Sequence, residues 1–235
     1  MPNDGVGMAK QNEHGKIIAA AAKAALAPIG CVRKGQSRTW YSDERYWLIL
    51  VTFDPSGWEK GTYLVVSASW LWYEKDYQSF DLGYRIADFV RFESAKQFRP
   101  IMEEYAEKAA REVERLRRDL ALISDISRQL FALVPTGDWR KATGPDRRAF
   151  EAAIAAGLAD DFDTARKLFD KVATWETFGY ESQFQLKSKA AHIAAFVGDR
   201  HRFRAEIQRV INVQRRRFGP SEDSALVHDR DTNAQ

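Results

Sequence analysis

Apolar residues recur at helical spacing near the start of the chain. Ile17, Ile18, Ala21, Ala25 and Leu26 line an alanine-rich run from about Lys10 to Leu26, and Pro28-Ile29-Gly30 ends it, which predicts a helix. The period then changes. Arg38-Thr-Trp-Tyr-Ser and Arg45-Tyr-Trp-Leu-Ile-Leu-Val-Thr-Phe are short, β-branched and aromatic, and Ser42-Asp43-Glu44 between them predicts a hairpin. Past the turn Asp54-Pro55-Ser56-Gly57, the segment Tyr63 to Trp72 alternates as a third strand. Its all-apolar face, Leu64, Val66, Ala68, Trp70 and Trp72, is the candidate core face. A fourth strand is expected near Gly83 to Phe92.

Beyond Pro100 the pattern turns helical. Val113, Leu116, Leu120, Ile123, Leu130 and Leu133 recur at mostly helical intervals until Pro135-Thr-Gly-Asp, so one long amphipathic helix is expected to connect two halves. The second half contains an internal repeat: Ala152 to Asp160 aligns with Ala191 to Asp199, and Leu168 and Val172 align with Ile207 and Ile211. Each copy reads as a helix, a tight turn and a second helix bearing Ala165, Leu168, Phe169 and Val172, or Phe203, Ile207, Val210 and Ile211. The two hairpins resemble tetratricopeptide-repeat hairpins over roughly residues 146 to 218. The expected architecture is α+β: a small antiparallel sheet with helices, then a long helix and a helical-hairpin bundle. Its expected parts are a disordered start (1–9), an α+β domain (10–98), the connecting helix (99–134), the hairpin domain (138–218) and a disordered tail (219–235).

The formal charge of +3 arises from 36 basic and 33 acidic residues, so no global polycation compels nucleic-acid or membrane binding. A single cysteine, Cys31, excludes an internal disulfide framework. Four scattered histidines (His14, His192, His201, His228) provide no metal-ligand spacing, and neither a metal nor a cofactor is implied. No apolar run is long enough for a membrane-spanning helix, and Asp4, Glu13 and Lys23 spoil the resemblance of the N-terminus to a signal peptide. A cytoplasmic protein is expected.

The stretch Gly30-Cys-Val-Arg-Lys-Gly35, with Arg38-Thr-Trp40 and the tryptophan-rich hairpin after it, resembles a bacterial family of small α+β domains of unknown function. Members of that family place a Gly-aromatic-basic-basic-Gly motif between a first helix and a first strand. Cys31 stands where the aromatic would be. The resemblance covers roughly residues 10 to 92 and implies a fold without an activity. Read physically, the two glycines offer positive-φ positions, and Arg33, Lys34 and Arg38 cluster where an anion or an acidic partner could be held. No nucleotide-binding glycine fingerprint is present.

Five of the seven tryptophans (Trp40, Trp47, Trp58, Trp70, Trp72) fall close together, more than one sheet face can bury. Trp70, Trp72 and Tyr73, with Trp40, are the expected anchors for a partner. On the last helix Arg200, Arg202, Arg204, Arg209, Arg215, Arg216 and Arg217 meet only Asp199 and Glu206, a local charge of +5 that would suit phosphates. Glu103, Glu104, Glu107, Glu112 and Glu114 alternate with basic residues at ion-pair spacing, Asp160-Asp161-x-Asp163 suits a helix cap, and His192 suits packing or hydrogen bonding. The favoured reading is a non-enzymatic protein-interaction module with a protein partner, of acidic character if the basic residues steer it. Nucleic-acid binding through the arginine-rich helix and exposed aromatics stands second, and a hydrolase using Cys31 or the helix carboxylates stands last. The amphipathic pattern serves a bundle and a dimer equally and leaves the oligomeric state open.

Overall fold

The structure is a computed structural model and describes residues 13–134 and 147–219. The expected disordered ends, the helix stop at Pro135 and His228 lie outside the described residues. Two compact units divide the chain. One holds the described residues up to Leu71, Lys75–Arg117 and those from Arg215 onward; the other holds Trp72–Glu74 and the described part of Arg118–Gln214.

The first unit is built on helix α1 (Glu13–Leu26), a 3-10 turn (Ala27–Ile29) and an antiparallel sheet in sequential order β1 (Val32–Arg33), β2 (Thr39–Asp43), β3 (Trp47–Asp54), β4 (Gly61–Trp70) and β5 (Leu82–Arg91). The two-residue β1 went unforeseen in the sequence; it pairs Val32 with Tyr41 and Arg33 with Trp40. Register places Trp40, Val51 and Val66 across from one another, and Trp47 opposite Trp70. The apolar face of β4 is therefore continuous with apolar positions on β2 and β3, and its Leu64, Val66, Ala68 and Trp70 are all fully buried. The opposite face is closed too, since Leu48, Leu50, Ser67 and Ser69 are buried. Helix α2 (Ala95–Asp119) buries Phe98, Met102, Ala106, Ala109, Val113 and Leu116. Arg117 near its end reaches the Ile29 carbonyl at 2.8 Å, Glu44 at 2.9 Å and Ser42 Oγ at 2.9 Å. Burial opposes the charge on that guanidinium, but the hydrogen bond and charge of Glu44 hold its pKa above the ordinary arginine value.

The expected single helix over 99–134 is corrected: α2 stops at Asp119 and a separate helix α3 (Ile123–Ala132) follows. The burial pattern supplies the reason. Ala109, Val113, Leu116 and Leu120 keep the helical repeat, but the next buried positions are Ile126 and Leu130. On an unbroken helix at about 100° per residue, Ile126 would point about 240° round from Leu120. Restarting after the extended Leu122 resets the phase, and Gln129 caps the freed Asp119 carbonyl at 2.8 Å. Leu122 and Leu133 are left exposed.

The second unit comprises α3, α4 (Arg147–Leu158), α5 (Phe162–Ala173), α6 (Glu181–Ala194) and most of α7 (Arg200–Phe218). Helix α4 is buried at every position from Ala149 to Leu158, and its small residues let neighbours approach. At Gly157 an added Cβ would collide with the Phe203 ring of α7. The buried sets of α5 and α7 include all the residues their periodicity picked out. Both repeat turns use a left-handed residue, Asp160 (φ 66°) in the first and Gly198 (φ 109°) in the second. The copies then diverge: α4 is enclosed all round, whereas Ala191 and His192 of α6 face outward and only Gln183, Leu186, Ala190 and Ile193 are buried.

Candidate functional site

The basic turn contains the expected glycine geometry, with Gly30 at φ 81° and Gly35 at φ 53°. Its cations do not converge. Arg33 donates to the carbonyls of Ser37 (2.7 Å) and Gln36 (2.9 Å), so its guanidinium closes its own turn. Lys34 reaches Gln78 Oε1 at 3.0 Å and lies over the Phe218 ring. Arg38 turns to the Gly61 carbonyl and His14, and burial lowers its pKa. Three separate sets of partners replace the expected shared anion cradle.

Trp40, Trp70 and Trp72 are buried, at 4%, 0% and 0% exposure, which corrects their expected place at a partner surface. The physical reason is that the register puts Trp40, Trp47 and Trp70 on one closed sheet face, where Trp47 and Trp70 meet edge to face at 6.1 Å, while Trp72 lies past the end of β4 in the helical unit and shares a cavity wall with Phe150. Tyr73 is half-buried, with Phe150 at 5.6 Å and the cations of Arg147 and Lys189 against its ring. The segment after β4 is pinned by charge. Lys75 and Asp81 form a buried ion pair at 2.9 Å, Lys75 also reaches Ser79, and Asp81 accepts the Trp70 N–H at 2.8 Å.

Among the described residues the exposed tryptophan is Trp58, at 96%. It sits between β3 and β4, beyond the strand positions where cross-strand neighbours would cover it. The loop around it is held in place. The Trp58 N–H donates to Ser56 Oγ at 3.1 Å, Arg91 forks the Glu59 carboxylate, and the Phe92 N–H donates to the Lys60 carbonyl at 2.9 Å. Gly61 then enters β4 where a Cβ would collide with the Val90 carbonyl. The turn composition Asp54-Pro55-Ser56-Gly57 was the available signal, because a tryptophan in a turn has no strand partner.

The last helix does not present a free basic stripe. Arg200 and Arg204 reach Asp160, Arg202 pairs with Asp199, Arg209 with Glu206 and Arg215 with Asp43, while Arg217 donates to the Lys75 carbonyl. Asp160 and Asp43 lie far away in sequence, so the local count of +5 overstates the charge on offer. Arg216 is exposed, with no hydrogen bond or ion pair among the described residues. Asp161 caps α5 through the Thr164 N–H at 3.1 Å, as its position suggested.

Other chemistry is quieter. Cys31 is buried, and burial pushes its thiol up to about 12 despite nearby Arg117, so it is a packed thiol rather than an activated nucleophile. On α2, Arg111, Arg115 and Arg117 pair with Glu107, Glu112 and Glu114. Among the described residues no group of His, Cys, Asp and Glu could hold a metal ion, and no helix is long and apolar enough to cross a membrane.

A cluster that the sequence separated lies within the helical unit. His192 Nε2 meets Glu206 Oε1 at 2.9 Å, and Arg209 forks the same carboxylate at 2.8 and 3.0 Å. The Arg209 hydrogen bond holds the Glu206 carboxyl below its ordinary range against the opposing effect of burial, and His192 adds to it. The cluster edges a cavity of about 280 Å³ whose inner wall includes Trp72, Phe150 and Ile193. No family model, curated protein or solved structure matches the chain.

Proposed function

We propose that the chain is a protein-binding module whose anchor is Trp58. The observation that carries this reading is a tryptophan 96% exposed on a loop fixed by its own hydrogen bonds. An indole offers large apolar area with few rotatable bonds, which is why tryptophan dominates binding hot spots. Since the loop is already ordered, docking loses little conformational entropy. The basic residues weighed as steering groups for an acidic partner are, apart from Arg216, engaged by acceptors of this chain, so the reading rests on the apolar anchor.

The test compares wild type, Trp58→Ala and Arg33→Ala as bait at equal concentration, with thermal melting of each as the folding control. Trp58→Ala should leave melting unchanged and weaken capture of the partner by about 30-fold, the equivalent of a hot spot of about 2 kcal/mol. Arg33→Ala should capture as wild type does. Capture that survives Trp58→Ala, or that Arg33→Ala abolishes, would overturn the assignment.

A further inference from the structure

We propose that the cavity edged by α6 and α7 binds a small organic acid, with its carboxylate at Lys189 and Arg209 and its apolar body against Trp72 and Phe150. This inference is independent of the Trp58 reading. Every residue lining the cavity belongs to the helical unit. Its volume of about 280 Å³ lies at the small end of ligand sites, which run to roughly 300–1,000 Å³, and suits one aromatic ring with a short acid arm. Trp72, Phe150, Ile193 and Val210 supply apolar wall and are each under a tenth exposed. An apolar wall with a few convergent polar groups is the usual form of a small-molecule site.

The polar rim points to an anion because the Glu206 carboxylate is spent on its neighbours, whereas Arg209 and Lys189 keep donors. Glu206 takes Arg209 through Nε at 3.0 Å and Nη2 at 2.8 Å, and His192 through Nε2 at 2.9 Å. Glu206 is therefore a positioning residue: it fixes the guanidinium and leaves Nη1 uncommitted among the described residues. Lys189 uses one donor on the Glu74 carbonyl at 2.6 Å and lies 4.8 Å from the centre of the Tyr73 ring, which leaves two donors on Nζ. Ser188 adds a hydroxyl on the same rim. Formal charges limit the choice of anion. Lys189 and Arg209 are balanced by Glu206 and Glu74, so a phosphate dianion would meet repulsion from Glu74, whereas a monoanion with an apolar body gains both hydrogen bonds and burial.

The experiment is titration calorimetry on the full chain with phenylacetate and indole-3-acetate, each against its neutral amide, with acetate and inorganic phosphate as head-group controls. The aromatic acids should bind one per chain, at least tenfold tighter than their amides, and acetate and phosphate should give no heat in the same range. Lys189→Gln should weaken the acids by about tenfold, the loss of one charge-assisted hydrogen bond, and leave the amides unchanged. Ser188→Trp, at an exposed position that tolerates bulk, should block the cavity and abolish acid binding at unchanged melting temperature. Equal binding of acid and amide, indifference of the acids to Lys189→Gln, or no binding of either aromatic acid would overturn the proposal.

Discussion

Two ion-pair clusters, one in each unit, use charge in opposite ways. In the sheet unit an ion pair is internal: Lys75 and Asp81 have side chains 2% and 0% exposed, and they fasten the segment that follows β4. In the helical unit the comparable cluster is open, with the side chains of Arg209 and His192 both 57% exposed around Glu206. Rigidity there arises from apolar packing, since α4 is enclosed on all sides and Gly157 accepts a phenyl ring where a Cβ would not fit. The same kind of side-chain pairing is therefore a structural fastener in one cluster and an accessible chemical surface in the other. Burial makes the difference, because a desolvated charge must keep its partner and a hydrated one need not.

Breaking the internal pair should have the largest effect. Lys75→Ala removes the cation paired with the buried Asp81 carboxyl, and should destabilise the chain by about 3–5 kcal/mol in denaturant unfolding. Lys75→Met combined with Asp81→Asn should recover most of that loss, because no charge is stranded and Asn still accepts the Trp70 N–H; a single-variant loss below about 1 kcal/mol would remove the contrast. Gly157→Ala comes next. Alanine gains up to about 1 kcal/mol in helix propensity, but the collision with Phe203 should outweigh it, for a net loss of about 1–2 kcal/mol. Adding Phe203→Leu should then restore part of the loss, whereas Phe203→Leu alone should destabilise.

Glu206→Ala should cost under about 1 kcal/mol at neutral pH, because its partners are hydrated. Its pH dependence has a definite sign. The carboxyl is held low in the folded state, first by Arg209, so its contribution is present above the ordinary carboxylate range and disappears as pH falls through the folded value. Stability curves of wild type and variant should converge in acid, and a gap that widens on acidification would contradict the assignment. The smallest effect on stability, within about 0.5 kcal/mol, is expected for Trp58→Ala, whose ring touches little of its own chain.

Periodicity made much of this architecture legible. Ala165, Leu168, Phe169 and Val172 of α5, and Phe203, Ile207, Val210 and Ile211 of α7, were readable as core faces because helical spacing is local information. The apolar face of β4 was readable for the same reason. The break between α2 and α3 was not legible, because Leu122 and Ile123 fill the sequence between Leu120 and Ile126 and only the burial pattern reveals the change of phase. The candidate site was far less legible. Which tryptophans are buried depends on the strand register that gathers Trp40, Trp47 and Trp70 on one face and on Trp72 leaving the sheet for the helical unit, and the charge of the last helix depends on Asp43, 172 positions from Arg215, and on Asp160, 40 positions from Arg200. The pairing of His192 with Glu206 spans two helices of one repeat copy, where sequence spacing carries no distance.

The most direct measurement is site-specific photocrosslinking in cells, with a photoreactive phenylalanine analogue placed at position 58 and, separately, at position 122, where Leu122 is also exposed but lies in the helical unit. A discrete crosslinked species from position 58, absent from position 122 and lost when excess unlabelled wild-type chain competes, is the predicted result. Crosslinks from position 122 alone, or none from position 58 while the chain remains folded, would contradict the claim that the sheet unit meets its partner through Trp58.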